Sequence, residues 1–410
     1  MQKKNKVRIY LDYAATTPVD PAVLRAMRPY FGVHFGNAGS VHSFGQIASA
    51  ALDRSRERIA AVLGAEFREV IFTGSATEAN NLVLRGAVKR FRELFPERTP
   101  ELVVSSIEHE SVLETCRDLE RDGARVRYVP VTREGVVDMR ALKAALGPGT
   151  VLVSVMYANN EIGTVQPVAE IAERVRAMRG ERAYPLFHTD AVQAFQYLPS
   201  DARALGADFM TISAHKIYGP KGIGVLYARQ VYDSRLSRAG GVTKINVKRV
   251  PHVSPQITGG GQEFGLRSGT ENVPLVVGAA EAVARAVAGR EREAARVRVL
   301  RDGFWKKLRA AWPGVRLNGG VASRLPNNLN VWFPGRRAEE LLIHLDRRGI
   351  AVSSGAACSA RSLEPSYVIQ ALGFSRERAR ESVRFTLGRQ TTTMELDKTA
   401  KVLNEIKKAK

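Results

Sequence analysis

Short apolar runs alternate through the first half of the chain with longer segments whose apolar residues recur at helical spacing. Residues 70–73, 102–106, 126–130, 151–156, 186–189 and 209–213 each predict a buried strand. One of the helical patterns between them sets Val168, Ile171, Val175 and Met178 on one face. It stops at Gly180, a residue suited to a helix C-cap. Strand–helix alternation on this scale predicts an α/β domain built on a mostly parallel sheet. Beyond about residue 275 the texture changes. A long Arg/Ala-rich stretch carries Val297, Leu300, Phe304 and Leu308 at helical spacing, and strand-like segments follow near 328–333 and 383–387. This predicts a second, α+β unit, with 259–261 at the crossover.

Composition narrows the class. With 410 residues, 44% of them hydrophobic, the chain can bury a large core, and its length suggests two or three domains. No apolar run approaches the roughly 18–20 residues that span a bilayer, and the N-terminus lacks the apolar core of a secretory signal. Two cysteines make no disulfide framework, which points to a reducing, cytoplasmic setting. The formal net charge of +21 opens the question of nucleic-acid binding. The Arg and Lys are dispersed and form no RNA- or DNA-binding motif. A generally basic surface is therefore expected, with neither nucleic acid nor membrane as a partner.

Five stretches could carry chemistry. In "FMTISAHKIYGPKGIG", Lys216 follows a buried strand and reads either as a surface lysine or as a Schiff-base lysine beside a cofactor phosphate. In "FTGSATEANN", Ser75 and Glu78 have capping-box spacing. They start either an ordinary capped helix or a phosphate cradle built on the N–H groups near Ala76 and Thr77. In "HTDAVQ", Asp190 closes a strand, as an N-cap or as the partner of a pyridinium nitrogen. In "EHESVLETC", His109 is structural, or stacks on a flat cofactor and moves protons, while Cys116 reads as a packing thiol. In "SVRFTLGR", Arg384 is an exposed salt-bridge residue or a grip for a substrate carboxylate. A sixth stretch, "VSSGAACSARSLEPS", sets Cys358 among small residues, as a small buried hydrophobe or as a mobile nucleophile.

These stretches, together with "YLDYAATTPVDP", "NNEIGTVQP", "GGGQEFGLRSGTENV" and "SSGAACSARSLEPSYVIQALG", appear in an order that resembles cysteine desulfurases of the NifS/IscS type, within the class V aminotransferase family. The resemblance implies a pyridoxal-phosphate enzyme of the aspartate-aminotransferase fold (fold type I), a homodimer with active sites near the subunit interface. It implies an N-terminal arm (1–20), a large cofactor-binding α/β domain (21–265) and a small α+β domain (266–410) with the cysteine loop at about 352–366. Carried over residue by residue, Lys216 would hold the cofactor covalently, Asp190 would pair with the ring nitrogen, His109 would stack on the ring and Gln193 would reach its hydroxyl. Ala76, Thr77, Ser213 and His215 would surround the phosphate, and Thr270 would reach the phosphate of the partner subunit's cofactor. Asn160 and Arg384 would position the carboxylate of L-cysteine. Cys358 would take the sulfur as a persulfide, releasing L-alanine, with Lys216 and His109 moving protons. The acceptor would be an iron–sulfur scaffold or a tRNA-thiolation protein. A selenocysteine lyase or a related aminotransferase-like enzyme is the alternative.

Four departures from the family pattern stand out. Gly74-Ser75-Ala76-Thr77 and Ser213-Ala214-His215-Lys216 replace the usual Ser-Gly-Ala-Thr and Ser-Gly-His-Lys. The basic segment 232–257 is longer than in many relatives, as a lid, an interface element or a tolerated insertion. The chain also ends soon after "LGRQTTTMELDKTAKVLNEIKKAK", where housekeeping relatives continue into a scaffold-docking tail, so a standard scaffold partnership is in question. The long cysteine loop favours direct sulfur delivery over dependence on an activator.

Overall fold

The computed structural model describes residues 8–232, 249–250, 252–355 and 364–408. Cys358 and Arg361, and most of the basic segment 232–257, lie outside the described residues. A seven-stranded sheet forms the centre: β1 (Val70–Thr73), β2 (Glu101–Ser105), β3 (Arg125–Val129), β4 (Thr150–Ser154), β5 (Leu186–Asp190), β6 (Phe209–Ser213) and β7 (Gly224–Ala228). Its spatial order is β1-β7-β6-β5-β4-β2-β3, and only β7 runs against the others. The six apolar runs of the sequence all fall on strands.

Successive side chains of each strand feed opposite faces, because a strand alternates with period two. Leu102 and Val104 join one apolar cluster with α3 (Ala76–Leu94) and α4 (Glu110–Arg121). Val103 joins the other cluster, with α1 (Pro21–Met27), α2 (Ser43–Leu63) and the helix Val168–Arg179. Both faces are covered, as a parallel sheet requires. The exception is β3, expected to be buried but largely exposed. It is the sheet edge, where Arg125 and Arg127 reach back to Glu101 at 3.4 and 3.1 Å; charged residues on an edge strand discourage pairing with another chain.

A second core gathers around a three-stranded antiparallel sheet, β8 (Arg316–Leu317), β9 (Asn328–Trp332) and β10 (Ser382–Thr386), with the helices Arg290–Ala311 and Thr393–Lys408. Ile9 and Leu11 pack into this core, and Ile9–Tyr10 pairs in parallel with Ile350–Ala351. The helix Val273–Ala288 differs from the expected boundary at 265/266. Its Val276, Ala279, Ala280 and Val283 face the first core beside α1 and α2, so the packing divides near Gly289 instead. At the crossover before it, buried Arg56 clamps Glu263 through two 2.8 Å contacts and lies over Phe72 and Phe264, tying 263–264 to the large unit. Among the described residues no helix is long and apolar enough to cross a membrane.

Candidate active site

The parallel strands send the carboxyl ends of β1, β2, β4, β5 and β6 to one edge, and a cavity of about 380 Å³ opens there. At one end, β1 turns through Gly74 and Ser75 into α3. The Ser75 hydroxyl accepts the Glu78 N–H at 3.1 Å, which caps the helix. The Glu78 carboxylate bypasses the Ser75 N–H and accepts from Gly74 N–H at 2.9 Å and Arg267 Nε at 2.8 Å, so only half of the expected capping box forms. Ala76 and Thr77 open α3, where N–H groups have no acceptor within the helix and an anion is favoured. Ser213, the buried last residue of β6, and His215 line the same cavity. Burial, then the charges of Lys216 and Lys221, lower the His215 pKa to about 4, so at neutral pH it is an uncharged imidazole, set 3.1 Å from the Thr16 hydroxyl.

Lys216 stands in the short turn Ala214–Lys216 that ends β6. Its Nζ donates to the carbonyls of Ala14 and Ala15, each at 2.7 Å, and Gln193 Nε2 donates to Ala14 at 3.0 Å. Asp190 ends β5 and is buried. Its Oδ1 accepts the Val192 N–H at 3.0 Å and its Oδ2 accepts from Asn80 Nδ2 at 2.9 Å. The same Asn80 amide donates to the Ser111 hydroxyl at 2.9 Å, and that hydroxyl lies 2.8 Å from His109 Nδ1. His109 caps α4 and also lines the cavity.

Arg384 is not an exposed residue: it is 1% exposed and faces the cavity. It donates to Asp12 Oδ1 at 2.8 Å, to the Gly355 carbonyl at 2.7 Å and to the Asn160 carbonyl at 2.9 Å. Its Nε and the buried Asn160 Oδ1 have no hydrogen-bond partner among the described residues. Two more carboxyls are enclosed here. Burial pushes Glu108 up to about 8 and Glu161 up to about 7.

Thr270 is not brought into this cavity. It lines a second one of about 190 Å³ with Gly74 and Arg267, and Gly222 and Ile223 border both. Cys116 is buried in the cluster with α3 and α4, where burial pushes its thiol up to about 12, as a packing thiol. The residues that sequence reasoning missed are Asp12, Ala14, Ala15, Asn80 and Glu161. All lie inside stretches already singled out, and only the pairing across the fold assigns them partners.

The donor set fits pyridoxal phosphate. A helix N-terminus and a neutral histidine suit its phosphate, a buried carboxylate suits its ring nitrogen, and a lysine lines the same cavity. The unpartnered Asn160 and Arg384 atoms belong to residues that line the same cavity.

Comparison with known proteins agrees with this geometry. The family model described as aminotransferase class-V matches residues 9–399. The cysteine desulfurase IscS of Dictyoglomus turgidum is 42% identical over 402 residues, covering 98% of this chain and 95% of its own. That of Rickettsia africae is 41% identical over 390 residues, covering 95% and 88%. A solved NifS-like protein superposes with a TM-score of 0.86 at 36% identity, covering 98% of this chain and 100% of its own. A solved complex of SspA with cysteine gives 0.75 at 35% identity, covering 92% and 98%.

Proposed function

The chain belongs to the class V aminotransferase family, and on that premise we propose that it is a pyridoxal-phosphate-dependent cysteine desulfurase, moving sulfur from L-cysteine onto Cys358 with release of L-alanine. One observation carries the reading. Lys216, Asp190 and Arg384 converge on one cavity in a chain similar over nearly its whole length to cysteine desulfurases. Pyridoxal phosphate, when bound, supplies an electron sink for the substrate's amino-acid carbon.

The chain's own residues do the rest. Ala76, Thr77, Ser213 and His215 would hold the phosphate with N–H, hydroxyl and uncharged imidazole groups. Asp190, kept in place by Asn80 and Val192, would pair with the ring nitrogen, His109 would stack on the ring and Gln193 would bond its hydroxyl. Arg384 and Asn160 grip the substrate carboxylate. The Lys216 amine and the His109 imidazole take and return protons. Cys358 Sγ, as the thiolate, attacks the substrate sulfur; an S–S bond forms as the Cβ–S bond breaks, and the carbon skeleton leaves as alanine. Thr270 serves the phosphate site of the second subunit in a homodimer. The persulfide then passes to an acceptor protein, an iron–sulfur scaffold or a tRNA-thiolation protein, in a reducing compartment such as the cytoplasm.

The test is a single turnover with sulfur-labelled L-cysteine. Label should appear on Cys358 in step with alanine, and Cys358→Ala should lose the protein-bound label and nearly all turnover. A Cys358→Ala protein that releases sulfide and alanine at the full rate would sink the mechanism.

A further inference from the structure

Glu161 follows Asn160 in the chain, and the roles assigned above do not use it. Its backbone is fixed from two sides. Its N–H donates to Asn159 Oδ1 at 2.9 Å, within the large unit. Its carbonyl accepts from Asn328 Nδ2 at 3.1 Å and Asn330 Nδ2 at 3.2 Å, both on β9 of the small unit. The side chain is therefore a post set at the junction of the two cores, and it is buried at 1% exposure along the wall of the cavity.

Two described residues meet this post. Ser366 donates its hydroxyl to Glu161 Oε2 at 2.5 Å while its own oxygen accepts the Ile369 N–H, starting the helix Tyr367–Ala371. Gly355, at φ +112°, passes so close that an added Cβ would lie 2.7 Å from the same Oε2. Few residues but glycine adopt that φ, and a side chain there would force the carboxylate to shift. The Gly355 carbonyl is held in turn by Arg384. Gly355 and Ser366 are the two ends of the stretch of sequence that contains Cys358, so the chain leaves and returns at one carboxylate oxygen.

We propose that Glu161 is a positioning residue for sulfur transfer, holding the Ser366 end of the cysteine-bearing segment by a hydrogen bond and packing against Gly355 at the other end, which the substrate-binding arginine holds. The inference rests on the desulfurase reading above. Anchoring matters because attack needs the thiol near the substrate sulfur, and Glu161 at Ser366 with Arg384 at Gly355 fix the two ends of the segment, which raises the effective concentration of what it carries. A post that acts only on the segment should leave substrate binding alone.

The experiment uses the holoenzyme and compares Glu161→Ala, Ser366→Ala and Glu161→Gln with wild type. Two quantities are read: the affinity for L-cysteine, from the absorbance change of the bound cofactor, and the single-turnover rate of labelled persulfide on Cys358. Glu161→Ala and Ser366→Ala should slow persulfide formation at least about tenfold with affinity within about twofold. Glu161→Gln keeps an oxygen that accepts from Ser366 and should stay within about threefold of wild type. Ser366→Ala removes one hydroxyl and guards against a folding failure of the Glu161 variants. Persulfide rates within twofold of wild type in both alanine variants overturn the proposal. So does an equal loss of affinity and rate, which would put Glu161 in the substrate pocket, or a Glu161→Gln protein as slow as Glu161→Ala. A wild-type enzyme that never labels Cys358 overturns the desulfurase reading, and this inference with it.

Discussion

Glu108 is completely enclosed, one residue before His109. Its Oε1 accepts from the Ser105 hydroxyl at 2.5 Å and the Met156 N–H at 2.8 Å, while its Oε2 has no partner among the described residues. Burial, with the nearby Asp190 charge adding to it, raises its pKa from 4.5 to about 8. The folded protein thus keeps a proton that the unfolded chain gives up. Stability from this group is complete below about 4.5 and is lost as pH rises through about 8. Glu108→Gln mimics the protonated form and should flatten that loss. Unfolding free energies from urea titrations between pH 5 and 8 should fall less steeply in the variant, by up to ~1.4 kcal/mol per pH unit; parallel profiles would show that Glu108 is ionised in the fold. Sequence could not reveal this group, because a Glu in "EHES" looks like the solvated start of a helix. Lys216, Asp190 and His109 were legible because each follows an apolar run at the ligand-binding edge of a sheet. Asp12 was not, since its partner Arg384 lies 372 residues away.

At the scale of elements, the strands were legible because both faces of the sheet are covered, which makes each central strand a short apolar run. The edge strand β3 and the helix Val273–Ala288 were misjudged for a shared reason. Each takes its surroundings from a neighbour distant in sequence: the sheet border in one case, α1 and α2 in the other. The β7 contact with the start of α3 is of the same kind. Gly224 meets Ser75 so closely that a Cβ would lie 2.5 Å from its carbonyl carbon and 2.6 Å from its oxygen. Both are backbone atoms in a capped turn, so the turn must shift. Gly224→Ala should displace Ala76 and Thr77, cost ~1–3 kcal/mol of stability and speed cofactor loss on dialysis, read from cofactor absorbance. Gly303→Ala is the control. It sits in the helix Arg290–Ala311 with nothing within 4 Å of an added Cβ, and should gain ~0.5–1 kcal/mol and keep its cofactor. Equal retention by the two variants would mean that the α3 turn does not hold the phosphate.

The whole molecule leaves one large surface unexplained within a single chain. Between Leu24 and Ile47 the exposed apolar residues include Phe31 at 64%, Val33 at 72%, Phe35 at 67% and Val41 at 90%. Phe35 and Phe44 bring their rings within 5.5 Å, so the exposure is a patch and not a scatter. An apolar patch of this kind marks an interaction surface. A second copy of the chain is the occupant that the homodimer reading supplies, and it would also explain why Thr270 stands apart from the cavity its own chain builds. The two ideas can be separated. Phe35→Asp combined with Val41→Asp puts two charges where water should be excluded, and sedimentation should show the mass halved. If Thr270 works across the interface, that monomer should also release its cofactor faster, while Thr270→Ala alone should release it faster yet remain dimeric. A charged variant that still sediments as a dimer would place the interface elsewhere. A monomer that keeps its cofactor as tightly as wild type would confine each phosphate site to its own chain.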